Sequence, residues 1–128
     1  MKSKTLSILS LFILIVAACS SSKKTSSTTG NSSAKKPKNG VYPPGDNEVA
    51  AIQKQFPEAS MGKLQEGYSI YKGACTGCHG TKNIYRFSST EWKKIMDKMA
   101  PKAKLNGLQK DAVYQYVLAI KATQEIKN

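Results

Sequence analysis

The apolar positions of the chain change character along its length. Behind a short basic head with Lys2 and Lys4, a mostly apolar run extends from Leu6 to Val16 and ends in the small residues Ala17 and Ala18. From Ser20 to about Gly45 apolar residues almost vanish, and Ser, Thr, Lys, Asn, Gly and Pro dominate, as in Ser20-Ser21-Ser22 and Pro43-Pro44. Such a stretch buries too little surface to offset its ordering entropy and reads as a disordered tether. Beyond it, apolar residues return at helical spacing. Asp46 is expected to cap a short helix over residues 48–56, with Val49, Ile52 and Phe56 on one face and Pro57 ending it. Ser60 is expected to cap a second helix to about Lys72, with Leu64, Gly67, Tyr68 and Tyr71 at helical spacing. Ser89 or Thr90 is expected to open a third, with Glu91 in its first turn, Trp92, Ile95, Met96 and Met99 along one side, and Pro101 as the stop.

The apolar run at the start is about eleven residues long, too short to cross a hydrocarbon core of roughly 30 Å as a helix. Its basic head and small-residue end are those of a secretory signal peptide, an uncleaved anchor helix being the weaker reading. Val16-Ala17-Ala18-Cys19 resembles the lipobox of bacterial lipoproteins. The resemblance implies cleavage between Ala18 and Cys19 and acylation of Cys19. Several acyl chains, at about 0.8 kcal/mol per buried methylene, would hold the chain on a membrane without spanning it. The expected organisation is a signal peptide over residues 1–18, a lipidated cysteine and tether over 19–45, and one small domain over 46–128.

Net charge first suggests nucleic acid, because the formal balance is +12. From Asp46 onward, however, there are 13 basic and 8 acidic residues, so much of the excess lies in the leader and tether. The domain's lysines are spread out and not interleaved with aromatics in a nucleic-acid-binding motif, and a solvated basic surface is the better reading.

The chemistry is concentrated in Cys75-Thr76-Gly77-Cys78-His79. This is C-x-x-C-H spacing: two thiols three positions apart can add across the two vinyl groups of one porphyrin, and the next histidine can reach its iron. Zinc is the first competitor, but a tetrahedral site takes four ligands, and Cys19 is the only other cysteine. A thioredoxin-like pair needs alternating strands and helices that the pattern lacks. A plain disulfide is the bland alternative. A covalent haem would also act as the staple that a domain this small needs.

Gly67-Tyr68-Ser69-Ile70-Tyr71 ahead of Cys75-Thr76-Gly77-Cys78-His79-Gly80 resembles the first helix and haem motif of the cytochrome c family. Leu105, Asn106 and Asp111 to Val117 resemble its last helix, with Asn106 as the cap. Ala112, Val113, Tyr116, Val117 and Ile120 would form that helix's apolar face, and Tyr116 would be the aromatic that meets the glycine and aromatic of the first. The resemblance covers most of the stretch from Leu64 to Ile120. It implies an all-α, cytochrome c-like domain around one covalent haem c, with thioethers from Cys75 and Cys78 and His79 as proximal ligand. No second histidine exists in the chain, so a bis-histidine haem within one chain is excluded. Spacing like that of small monohaem members favours Met99, with Met96 next, and Met61, a lysine or no protein ligand behind. Only 19 residues, Gly80 to Lys98, separate His79 from Met99, far fewer than in most soluble members, which implies a more exposed haem edge.

No catalytic constellation accompanies the motif; Glu91 and Asp97 read as solvated helix-face residues, and no enzyme activity is expected. The expected role is single-electron transfer at the periplasmic face of a bacterial membrane, inner or outer, with redox proteins that dock through an acidic face. Lys72, Lys82 and Lys102 would steer them. A haem-based gas-binding or sensor module with an open sixth site is the alternative. The anchor has its own test: Cys19→Ala should release the protein from the membrane fraction or stall its processing, as followed by fractionation and immunoblotting. Unaltered attachment and processing would rule the lipid anchor out.

Overall fold

The computed structural model describes residues 36–125. Cys19, the signal peptide and most of the expected tether lie outside them. The described residues form four α-helices and no strand. These are α1 (Asp46–Gln53), α2 (Met61–Ile70), α3 (Ser89–Met99) and α4 (Gly107–Glu125). A π-helical turn, Tyr71–Cys75, extends α2, and a 3-10 turn, Ile84–Arg86, precedes α3.

The helix starts follow side-chain capping. Ser60 Oγ accepts from the Lys63 amide at the head of α2, as expected. At α3 the cap is Ser88, not Ser89 or Thr90: its Oγ accepts from the Glu91 amide, and Glu91 accepts in return from the Ser88 amide at 2.8 Å. That reciprocal pairing needs a three-residue offset, which from Glu91 leads back to Ser88. Asn106 and Gln109 make a similar exchange at the head of α4. In α1, Gly45 stands at the cap and Asp46 is already in the first turn. The Glu48 carboxylate takes the Gly45 amide at 2.9 Å, which starts the helix before the expected residue.

Helix α4 is the centre of the packing. Val113, Tyr116, Val117 and Ile120 join one buried cluster with Tyr71, Ile84, Trp92 and Met96. On its other side, Leu118 and Ala119 join Ile52, Ala59 and Leu64. The expected apolar stripe is therefore buried, and so is the flank beyond it. Val49 packs beside Ile52 as its spacing requires; Phe56 packs there too, although α1 ends at Gln53, short of the expected residue 56.

The closest crossing is at Gly67. A methyl group there would overlap the Ala112 carbonyl and come within 2.8 Å of Tyr116 Cβ. Tyr116 in turn meets the rings of Tyr68 and Tyr71, at centroid distances of 5.6 and 6.1 Å. Helix α2 stops at Ile70 instead of Lys72, because the backbone opens there into the π turn that carries it to Cys75.

The expected tether boundary at residue 45 is corrected by the structure. Residues 36–45 form a strap packed on the domain. Pro37 to Gly40 makes a turn, with Gly40 at φ +73° and lying against Tyr85 and Ile84. Tyr42 exchanges two hydrogen bonds with Tyr116: its amide donates to the Tyr116 hydroxyl, which donates to the Tyr42 carbonyl at 3.0 Å. Lys36 pairs with the buried Glu48, whose carboxylate also accepts from the Tyr42 hydroxyl. Burial pushes the Glu48 carboxyl up, but hydrogen bonds from Lys36, the Gly45 amide and Thr123 outweigh it and hold it below the usual carboxylate range. Strap residues look like tether because their partners lie far away in sequence.

The Gly67 crossing predicts a large effect from a small change. Gly67→Ala should destabilise the domain by about 2–3 kcal/mol through overpacking against α4, read by thermal or denaturant unfolding. A methyl group added at Gly62 would meet nothing within 4 Å, so Gly62→Ala should leave stability level or slightly raised.

Candidate functional site

The C-x-x-C-H residues sit where α2 runs out. The π turn, a form of helix often found at functional sites, ends at Cys75. The following turn is stitched to it: Gly77 donates to the Gly73 carbonyl, Thr76 Oγ1 to the Lys72 carbonyl at 2.6 Å, and the Gly80 amide to the Thr76 carbonyl. Gly80 then takes φ +70°, the left-handed conformation that lets the chain reverse without a side-chain clash.

These residues open onto a cleft of about 310 Å³, a size typical of small-molecule sites. Buried Tyr71 and Trp92 form its floor and exposed Lys102 its lip; Cys75, Cys78 and His79 line it, as do Ile95, Met96 and Met99 of α3. The cleft thus gathers both cysteines of the motif, the sole histidine and two of the three expected methionine candidates. Met61 lies at the head of α2 and does not line it.

The donor set suits a large apolar group with a soft metal. Cys75 and Cys78 are both free thiols. Among the described residues no three His, Cys, Asp or Glu side chains converge to hold a bare ion, which leaves the zinc reading without a ligand set there. His79 is exposed, and its Nδ1 donates to the Gly80 carbonyl at 3.3 Å. A carbonyl can only accept, so Nδ1 carries the proton of this bond, and in the neutral ring that leaves Nε2 free to ligate a metal. Met96 is buried and Met99 half-buried on the facing helix.

Other expected residues take ordinary roles. Glu91 caps α3. Asp97 is held below the usual carboxylate range by hydrogen bonds from Lys110 and Lys93 and ties α3 to α4. Lys102 reaches the cleft lip, whereas Lys72 lies 5.3 Å from the Tyr68 ring centroid. Helical spacing places Tyr71 with Leu64, Gly67 and Tyr68, but that it lines the cleft beside Cys75 was not apparent from it.

No protein-family model matches the chain, and no curated protein and no solved structure matches it either. No described helix is long and apolar enough to cross a membrane.

The two thiols differ in surroundings. Burial pushes the Cys75 thiol above its ordinary value, while Cys78 is exposed. Because the thiolate is the nucleophile, iodoacetamide at mildly alkaline pH should alkylate Cys78 several-fold faster than Cys75 in the reduced protein. Peptide mass spectrometry measures both rates; equal rates would contradict the half-buried position of Cys75.

Proposed function

We propose that this domain is a monohaem c-type cytochrome that passes single electrons. The observation carrying the reading is the convergence of Cys75, Cys78, His79, Met96 and Met99 on one apolar cleft. In this reading Cys75 and Cys78 hold the haem as thioethers, each S–H adding across one vinyl group. His79 and Met99 would ligate the iron, with Met96 as the runner-up to Met99. When bound, the haem supplies a one-electron couple at its iron.

The chain's own residues do the rest. Tyr71, Trp92 and Ile95 present apolar surface that excludes water. The Gly80 carbonyl keeps the His79 proton on Nδ1. Lys102 at the lip presents positive charge to an acidic partner, which raises the encounter rate more than the affinity. Acylation of Cys19 would keep the domain at the periplasmic face of a bacterial membrane, with the strap leaving residues 20–35 as the connecting stretch.

Expression with a cytochrome c maturation system, followed by denaturing electrophoresis and haem staining, tests the central claim. A mature band without haem would overturn it. The axial ligand is tested by paired variants. Met99→Ala should lose the weak far-red band of methionine-bound ferric haem, lower the reduction potential and admit carbon monoxide. Met96→Ala should keep the band and lose about 2–5 kcal/mol of stability, as expected for truncating a buried side chain. The opposite pattern would assign the ligand to Met96. Ready carbon monoxide binding by the unaltered protein would favour a gas-binding module instead.

A further inference from the structure

Between His79 and the turn at Ile84 the backbone has no regular structure, yet it is held from two sides. On the cleft side, the Tyr71 hydroxyl donates to the Lys82 carbonyl at 2.7 Å and Trp92 Nε1 to the Ile84 carbonyl at 2.8 Å. Behind it, the Ile84 amide donates to the Asn39 carbonyl of the strap at 2.9 Å. The Tyr71 and Trp92 rings meet edge to face at 6.2 Å. The two side chains that floor the cleft therefore also hold the backbone leaving the histidine.

The histidine depends on that backbone. Its ring makes one hydrogen bond, to the carbonyl of Gly80. Gly80 lacks a side chain to fix it and stands in left-handed backbone with nothing within 4 Å of a Cβ position. The orientation of its carbonyl is consequently set by the turn before it and by the pinned residues after it. The first pin in the chain is the Tyr71 hydroxyl on Lys82, two residues on. Tyr71 is 3% exposed, so water cannot readily replace that bond. A phenyl ring would fill the same floor, which makes the hydroxyl separable from the packing.

We infer that Tyr71 is a positioning residue for His79: by holding the Lys82 carbonyl, its hydroxyl fixes the Gly80 peptide that orients the imidazole. The inference rests on the haem reading. A partner that accepts the Nδ1 proton makes a ligating imidazole more basic. A more basic ligand favours ferric iron, so loosening the Gly80 carbonyl should raise the reduction potential.

Tyr71→Phe in the matured, full-length protein separates these roles. Amide exchange over residues 80–84 should quicken by about fivefold, the factor expected for one ordinary buried hydrogen bond, while α4 exchanges as before. The reduction potential should rise, with the haem still covalent and the methionine band retained. Unchanged exchange over 80–84 would overturn the inference. So would faster exchange with an unmoved potential, since Tyr71 would then hold the loop without orienting the histidine. If the unaltered protein carries no haem, the cofactor reading fails and this inference fails with it; haem in both proteins with identical properties sinks the Tyr71 role alone.

Discussion

The packing of this domain turns on Tyr116. Its backbone side abuts Gly67, which lets α2 and α4 approach until glycine is the only residue that fits. Its ring fills the space between Tyr68 and Tyr71, and its hydroxyl secures both the amide and the carbonyl of Tyr42. One fully buried side chain thereby joins the first cysteine-bearing helix, the last helix and the N-terminal strap. A buried tyrosine needs a partner for its hydroxyl, and the strap provides it, which is why residues with so little apolar content belong to the fold.

From that hub the structure passes outward in layers. Tyr71 stands between Tyr116 and the cleft, touching both. Trp92 closes the floor and holds Ile84, while the strap supports Ile84 from behind. The strap itself is pinned by Lys36 on the buried Glu48. An ion pair in such a place stabilises less than its contact suggests, because both charges lose hydration; removing one partner is the costly change, since it leaves the other unpaired. The cleft wall is thus backed by residues that never reach the cleft.

Charge is arranged for separate purposes. The acidic side chains near the expected metal-binding helix are occupied: Glu91 by a cap, Asp97 by two lysines from α3 and α4. Neither points to acid-base chemistry. Lys102 remains at the lip of the cleft.

The helical class, the approximate helix positions and the place of the C-x-x-C-H motif can be read from the sequence alone, because these are local properties. Ser60, Asn106 and Pro101 mark helix ends within two residues, and the faces of α1, α3 and α4 follow from spacing alone. Cys75, Cys78 and His79 were legible for the same reason, since their spacing is the signal. Even the Gly67 to Tyr116 contact was anticipated, through the family resemblance and not through spacing. Only the tertiary structure decided what depends on distant partners. It turned residues 36–45 from expected tether into strap, because Tyr42 finds Tyr116 across 74 positions and Glu48 finds Lys36. It separated Met61 from Met96 and Met99, which composition treats alike. It also assigned Tyr71 two jobs, floor and hydrogen-bond donor, because its hydroxyl meets a carbonyl that no periodicity places beside it.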